Sequence, residues 1–432
     1  MTSLNSDWVQ EQAPDDVAFR VARNAVTVTD VDKVSLDRAR VVQVDPTTEV
    51  KLDTLKVTDQ KQSGRCWMFA SFNLFRGMVA EKLGLEDFEF SESYLQFFDL
   101  LEKANVFLQE MQRLKDRPFD DREVHTLLRS PIDDGGQFNY FADLVQKYGV
   151  VPRYAMPETQ SSSRTTKMVR DANTCLRRGA LAVRKGADPE AVLRDVYRIL
   201  AVHLGVPPKE FAWHYRNKDK EYVRGGVMTP KQFAEEFLPR DLDQYVSIAH
   251  DPRPGIELHK HYEIAYEKSV AERPAFNYVT ASLDELTELA VAALEDDTPV
   301  WFTCDVNRQF HSGLGIWDEH LYDYDSLYGV ELDMTKEEQM LTQESVLTHA
   351  MVFTGLDNTP GRDRRWRVEN SWGTKMHKEH DALSPDGFGT MTQSWFNDNV
   401  FSIVLHKDRL PEHLKAAVDE PAITLPVWDA MA

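Results

Sequence analysis

Residues 58–84 read TDQKQSGRCWMFASFNLFRGMVAEKLG and place a cysteine between an arginine and a tryptophan where a helix should begin. Met68, Phe72, Phe75 and Val79 recur at helical spacing from that point, and Gly84 stands where a left-handed cap would close the helix. Cys66 therefore falls in the first turn. A thiol there feels the positive end of the helix dipole, which favours thiolate. For hydrolysis a bare thiolate is not enough: an imidazole must exchange a proton with it and a third group must orient that imidazole.

Downstream, "DDGGQFNYFADLVQKYGVVP" (133–152) carries the glycine pair Gly135–Gly136 into an amphipathic helix ending at Gly149. The polar run "ETQSSSRTTK" (158–167) opens a charged stretch to about residue 280 that reads as a helical insertion. Asp188-Pro189 starts one helix, and Thr229 with Gln232 and Ser282 with Glu285 mark two others. Near residue 298 the period becomes two. "PVWFTCDV" (299–306), "VLTHAMVFTGL" (346–356), "RRWRVENSW" (364–372) and "VFSIVLH" (400–406) read as strands of one antiparallel sheet or barrel. Alternation puts His349 on a face with Leu347, Met351 and Phe353, and Asn370 on one with Trp366 and Val368. Trp372 follows closely enough to shield a hydrogen bond. Taken singly, a strand histidine or a buried cysteine is an ordinary core residue. Here they occur as a set.

The whole chain is consistent with such an enzyme. Its 432 residues, 42% hydrophobic, can bury one large core or several smaller ones. A formal charge of −21 argues against nucleic acid or an anionic membrane surface as a main partner. Cys66, Cys175 and Cys304 are too few and too irregular for a disulfide framework or a zinc site, which suits a cytoplasmic, reducing compartment. Cys175 and Cys304 read as structural. No apolar run of signal-peptide or membrane-spanning length is evident. His377 and His380 in "MHKEHD" read as solvated surface rather than a ligand pair.

The cysteine–tryptophan helix start with Gln60 six residues earlier, the histidine strand Thr348-His349-Ala350 and Asn370-Ser371-Trp372-Gly373 together resemble the papain-like cysteine peptidases. The Cys66-to-His349 distance is about twice the ~130–150 residues of papain. That excess, with "QKQSGRCW", "DDGGQ", "KYGVVP", "PPKEFAWHYRNKDKEY", "TPKQF", "CDV" and the ending "PVWDAMA", is similar to the bleomycin hydrolase and aminopeptidase C branch.

The resemblance implies an α+β, two-lobe papain-like fold with a helical lobe, an antiparallel β-barrel lobe, a large helical insertion and arms at both ends. The expected boundaries are 1–55 for the N-terminal arm, 56–157 for the lobe carrying the nucleophile, 158–281 for an oligomerising insertion, 282–410 for the β-rich lobe and 411–432 for an arm entering the cleft. It implies Cys66 as nucleophile, His349 as base and then acid, Asn370 as the residue orienting the imidazole and Gln60 as an oxyanion donor. Gly135, Gly136, Trp67, Trp372 and Ala432 would contact a peptide substrate, with no metal or cofactor, in a homohexamer. The implied activity is aminopeptidase action; the alternatives are an endopeptidase or oligopeptidase of the same chemistry, and a non-catalytic scaffold. The family's tip commonly continues about three residues past the point where Ala432 ends. Either the short tip leaves non-primed subsites open, or the arm takes another path and Ala432 reaches the same place.

Overall fold

The computed structural model describes residues 4–375 and 387–432. The helix Cys66–Leu83 runs through the first lobe with an unbroken buried run from Cys66 to Arg76, and Gly84 closes it at φ 63°. Burial on nearly every side explains why its apolar residues do not form one stripe. It packs on Phe138–Tyr148 within the helical lobe and on the strand His349–Asp357 across the lobe boundary. Glu92–Arg113, capped by Ser91, packs on Phe138–Tyr148 and on the antiparallel pair Thr166–Val183 and Pro189–Leu204. The starts read from sequence at Asp188, Thr229 and Ser282 are all N-caps, the last two with both halves of a capping box.

The stretch after residue 205 is less helical than expected. Phe211–Arg216 and Tyr222–Met228 form a separate antiparallel hairpin, and only the eight-residue helix Pro230–Phe237 follows. Tyr245–Ala249, His261–Ile264 and Asn277–Thr280 then join the main sheet. These strands are four or five residues long and set among charged loops, so each window is too short for a period-two signal to stand out.

Among the described residues the main sheet has twelve strands. Its centre runs Tyr245–Ala249, Val400–His406, Val300–Cys304, His349–Asp357, Arg365–Glu369, Phe388–Thr392, all paired antiparallel. The expectation of a wholly antiparallel sheet needs correction, because three peripheral pairings are parallel. Long connections bring those strands back in the same direction, which a hairpin cannot do. The His349–Asp357 strand separates two cores: Ala350 and Val352 pack with the nucleophile helix, while Met351 and Phe353 pack with Phe302, Trp366 and Phe396. Leu347 lies before the regular strand and packs with the helical lobe instead of sharing the Met351 face.

Between Ser6 and Gln43 the chain forms four short helices along the outside of the sheet lobe. Arg40 reaches the fully buried Asp318 at 2.6 Å, and Val50–Lys51 adds a strand beside Leu356 and Gly355. At the other end, Ile423–Leu425 pairs parallel with His261–Ile264, which directs the last residues toward the lobe boundary.

Candidate active site

The cysteine helix begins without a side-chain cap at Arg65, so no side chain competes for its first amides near the thiol. Its start is anchored from three directions. Arg65, itself almost fully buried, donates to both oxygens of Glu158 at 2.9 and 2.8 Å. Gly64 N–H donates to Asp134 Oδ2 at 2.6 Å, and Trp67 Nε1–H donates to the Asp134 carbonyl at 3.0 Å. Asp134 thus ties the glycine loop to the turn before Cys66. Gly136 is there for space: a Cβ would lie 2.7 Å from the Trp67 ring and 2.9 Å from Tyr140. Lys103 completes the arrangement from the Glu92–Arg113 helix, donating to the carbonyls of Asp133 and Gly135 while paired with Asp99.

Across the lobe boundary, His349 opens its strand opposite Cys304. Its Nε2 lies 2.9 Å from Asn370 Oδ1, and the Trp372 ring lies 4.7 Å from the imidazole. Gln60 joins the same layer from the preceding loop. Its backbone N–H donates to the Ser371 carbonyl, its Oε1 accepts from Ser371 Oγ at 2.6 Å, and its Nε2 donates to the Ser63 carbonyl at 2.7 Å. An amide has two N–H donors, so one remains for a ligand.

Cys66 and His349 are both buried at the base of a cavity of about 560 Å³. Burial pushes the thiol up to about 11, against the pull of the Ala350 and Trp67 amides. Burial likewise holds the imidazole down to about 4, against the Asn370 hydrogen bond. Each isolated charge is therefore disfavoured. Both groups are thus held neutral, and moving the thiol proton to the imidazole would create the two charges together at no change in net charge.

The cavity brings Cys66, His349, Gly135, Gly136 and Ala432 into one wall, together with Gly64, Tyr140, Glu267 and Val427. Gln60 and Asn370 stand behind it. Trp67 and Trp372 do not line it: Trp67 is fully buried under the glycine loop, and Trp372 covers the imidazole. His377 and His380 lie outside the described residues. Asp134, Lys103 and the Arg65–Glu158 pair escaped sequence reading, although the adjacent acids of "DDGG" in a polar loop were the signal available for Asp134.

The chain end reaches this cavity. Arg253 clamps the Asp429 carboxylate at 2.7 and 3.0 Å, Arg122 lies 4.1 Å over the Trp428 ring, Met431 is fully buried and Ala432 lines the wall.

A model of the Peptidase C1-like family matches residues 2–432. The chain belongs to the Peptidase C1-like family. It is 34% identical to human bleomycin hydrolase, over 100% of this chain and 98% of that protein. To aminopeptidase E of Lactobacillus helveticus it is 37% identical, over 93% of this chain and 91% of that one. The crystal structure of PepW from Lactobacillus rhamnosis superimposes with a TM-score of 0.93 at 34% identity, covering 99% of this chain and 98% of that chain. The chain is a cysteine peptidase of papain-like, two-lobe fold, as the motifs implied. Among the described residues, no helix is long and apolar enough to cross a membrane.

Proposed function

We propose that this peptidase removes residues from the N-termini of peptides, with Cys66 as nucleophile and the chain's own end as the stop that measures the substrate. The observation that carries this reading is that Ala432 lines the cavity containing Cys66 and His349. The C-terminal arm, with Val427 and Ala432 on the cavity lining, then limits how far a substrate chain can extend past Cys66. The Arg253–Asp429 and Arg122–Trp428 contacts support the alternative in which the arm takes another path and Ala432 reaches the cleft wall.

Chemically, His349 takes the Cys66 proton as sulfur attacks the carbonyl carbon, then gives it to the leaving amine. Water repeats the sequence to release the acid. Asn370 holds the ring so that Nδ1 is the base. The Cys66 N–H and the spare Gln60 N–H are the donors for the oxygen that gains charge. The Gly135–Gly136 backbone holds the substrate chain.

The test compares one fluorogenic peptide with a free and an acetylated N-terminus, using the full chain and a chain ending at Thr424. The full chain should cleave only the free peptide, and the shortened chain both. Cleavage of the acetylated peptide by the full chain at a comparable rate would favour the endopeptidase reading.

Assembly and compartment are part of the same proposal. The helical pair 166–204 exposes Leu181 and Val202, at 53% and 79%, which supports a subunit contact there. Light scattering should give six times the 49.7 kDa chain; a stable monomer at micromolar concentration would contradict the hexamer. Three free cysteines suit a reducing cytoplasm.

A further inference from the structure

Far along the chain from Cys66, three side chains from separate segments converge. His259 comes from the turn before the His261–Ile264 strand, Glu285 from the first turn of the Leu283–Glu295 helix and His413 from the start of the Glu412–Val418 helix. His259 Nε2 lies 2.9 and 3.0 Å from the two Glu285 oxygens, and His413 Nε2 lies 2.8 Å from Oε1. The imidazole rings sit 4.6 Å apart with planes at 64°, so both aim at one point without stacking. Among the described residues this is the one group of three or more His, Cys, Asp or Glu side chains whose ligand atoms all lie within 4.8 Å of one another.

We propose that His259, Glu285 and His413 form a zinc site that pins the root of the C-terminal arm. Two imidazoles and one carboxylate are an established donor set for Zn²⁺. With bonds of about 2.0–2.2 Å, a tetrahedral zinc needs its ligand atoms roughly 3.3 Å apart, so each imidazole–carboxylate pair must open by only a few tenths of an ångström. Binding replaces the Nε2–H···O contacts with Nε2–Zn bonds; each Nε2 proton passes to solvent, or by way of solvent to Nδ1, so that each imidazole binds as the neutral Nδ1–H tautomer. The fourth position faces solvent, because all three side chains are partly exposed.

Two features favour a ligand over a hydrogen-bonded trio. Glu285 is pre-set: Oε2 accepts the Ser282 N–H and hydroxyl of the capping box, which turns Oε1 toward the histidines. His259 is held at φ 56°, a backbone conformation disfavoured for a residue with a Cβ. The neighbouring cation, Lys260, is neutralised by Glu420 at 2.9 Å, so it does not repel a metal. Zinc here would join the helix from which the arm departs to the segment leading into the strand that the arm pairs with. The inference does not depend on the peptidase assignment.

The experiment is equilibrium titration of the metal-free full chain with Zn²⁺ alone against a chromophoric chelator, in a Cys66→Ala background so that the thiol–imidazole pair does not compete. One Zn²⁺ per chain should bind at micromolar or lower concentration and raise Tm. His259→Ala and His413→Ala should each weaken it at least tenfold and abolish the Tm rise. Glu285→Gln preserves the capping box while removing the charge, and it should weaken binding while the zinc-free Tm stays near the parent's. The proposal is overturned if no zinc binds at micromolar concentration, or if the three variants bind as the parent does.

Discussion

Asn370 Oδ1 accepts two hydrogen bonds at once, from His349 Nε2 at 2.9 Å and from the N–H of Ser371 at 2.7 Å. The second fixes which way the amide faces, and the first then fixes the imidazole tautomer, with the proton on Nε2 and the free pair on Nδ1. Asn370→Ala should therefore cost kcat on the order of 10²-fold, the scale of a misplaced reacting group, with KM little changed. Asn370→Asp should keep the geometry but set a charge beside the ring. A negative neighbour favours imidazolium, so the acid limb of the kcat/KM profile should move to higher pH. An unmoved limb would show that Asn370 does not orient His349.

Gln60 bridges both lobes' loops, and Gln60→Glu separates its two jobs. The carboxylate can still accept from Ser371 Oγ, so Tm should hold within a few degrees, while the donors are lost. A fall in kcat of about 10²–10³-fold with little change in KM is expected. A kcat near the parent's would remove Gln60 from the oxyanion site.

The two cleft glycines should differ sharply. A methyl at Gly135 meets only Asp133 Oδ1 at 3.3 Å, whereas at Gly136 it collides with Trp67 and Tyr140. Gly136→Ala should destabilise by about 1–3 kcal/mol and raise KM as the loop shifts, and Gly135→Ala should do neither. Chemical denaturation and steady-state kinetics on both variants decide this.

The Arg65–Glu158 pair predicts a pH response of stability. Burial raises the Glu158 carboxyl, but hydrogen bonds from Arg65, Ser162 and Ser93 overcome it and bring it from the ordinary 4.5 down to about 2. A depressed acid stabilises the fold fully above pH 4.5, and the contribution fades as pH falls toward 2. Glu158→Gln leaves Arg65 buried without its counter-charge and should cost about 3–5 kcal/mol at neutral pH. The difference from the parent should shrink on acidification; a pH-independent difference would refute the charge argument.

The nucleophile helix was legible because its apolar positions and Gly84 are local signals, and so were the capping boxes at Thr229 and Ser282. His349 opens a strand of nine residues and Asn370 directly follows one of five, both with clear β-branched or aromatic content. The strands Tyr245–Ala249 and Asn277–Thr280 are not legible locally, because tertiary pairing of the first with Val400–His406 and of the second with the first, and not their own short sequence, makes them strands. The path of the arm was equally hidden. It depends on Arg253 meeting Asp429 and Arg122 meeting Trp428 across long separations, which no periodicity encodes.

The most direct test of Cys66 and His349 as the working pair is the rate of alkylation by iodoacetamide between pH 5 and 9, with the modified cysteine identified by peptide mapping. Between about 4 and about 11 burial keeps either group from losing or gaining a proton singly, so transfer of the thiol proton to His349 is the route to thiolate, and its extent does not vary with pH in that range. The account predicts labelling of Cys66, at a rate nearly flat with pH and equal to the rate at which activity is lost. A rate that climbs tenfold per pH unit like that of a free thiol, or full activity after Cys66 is labelled, would contradict it.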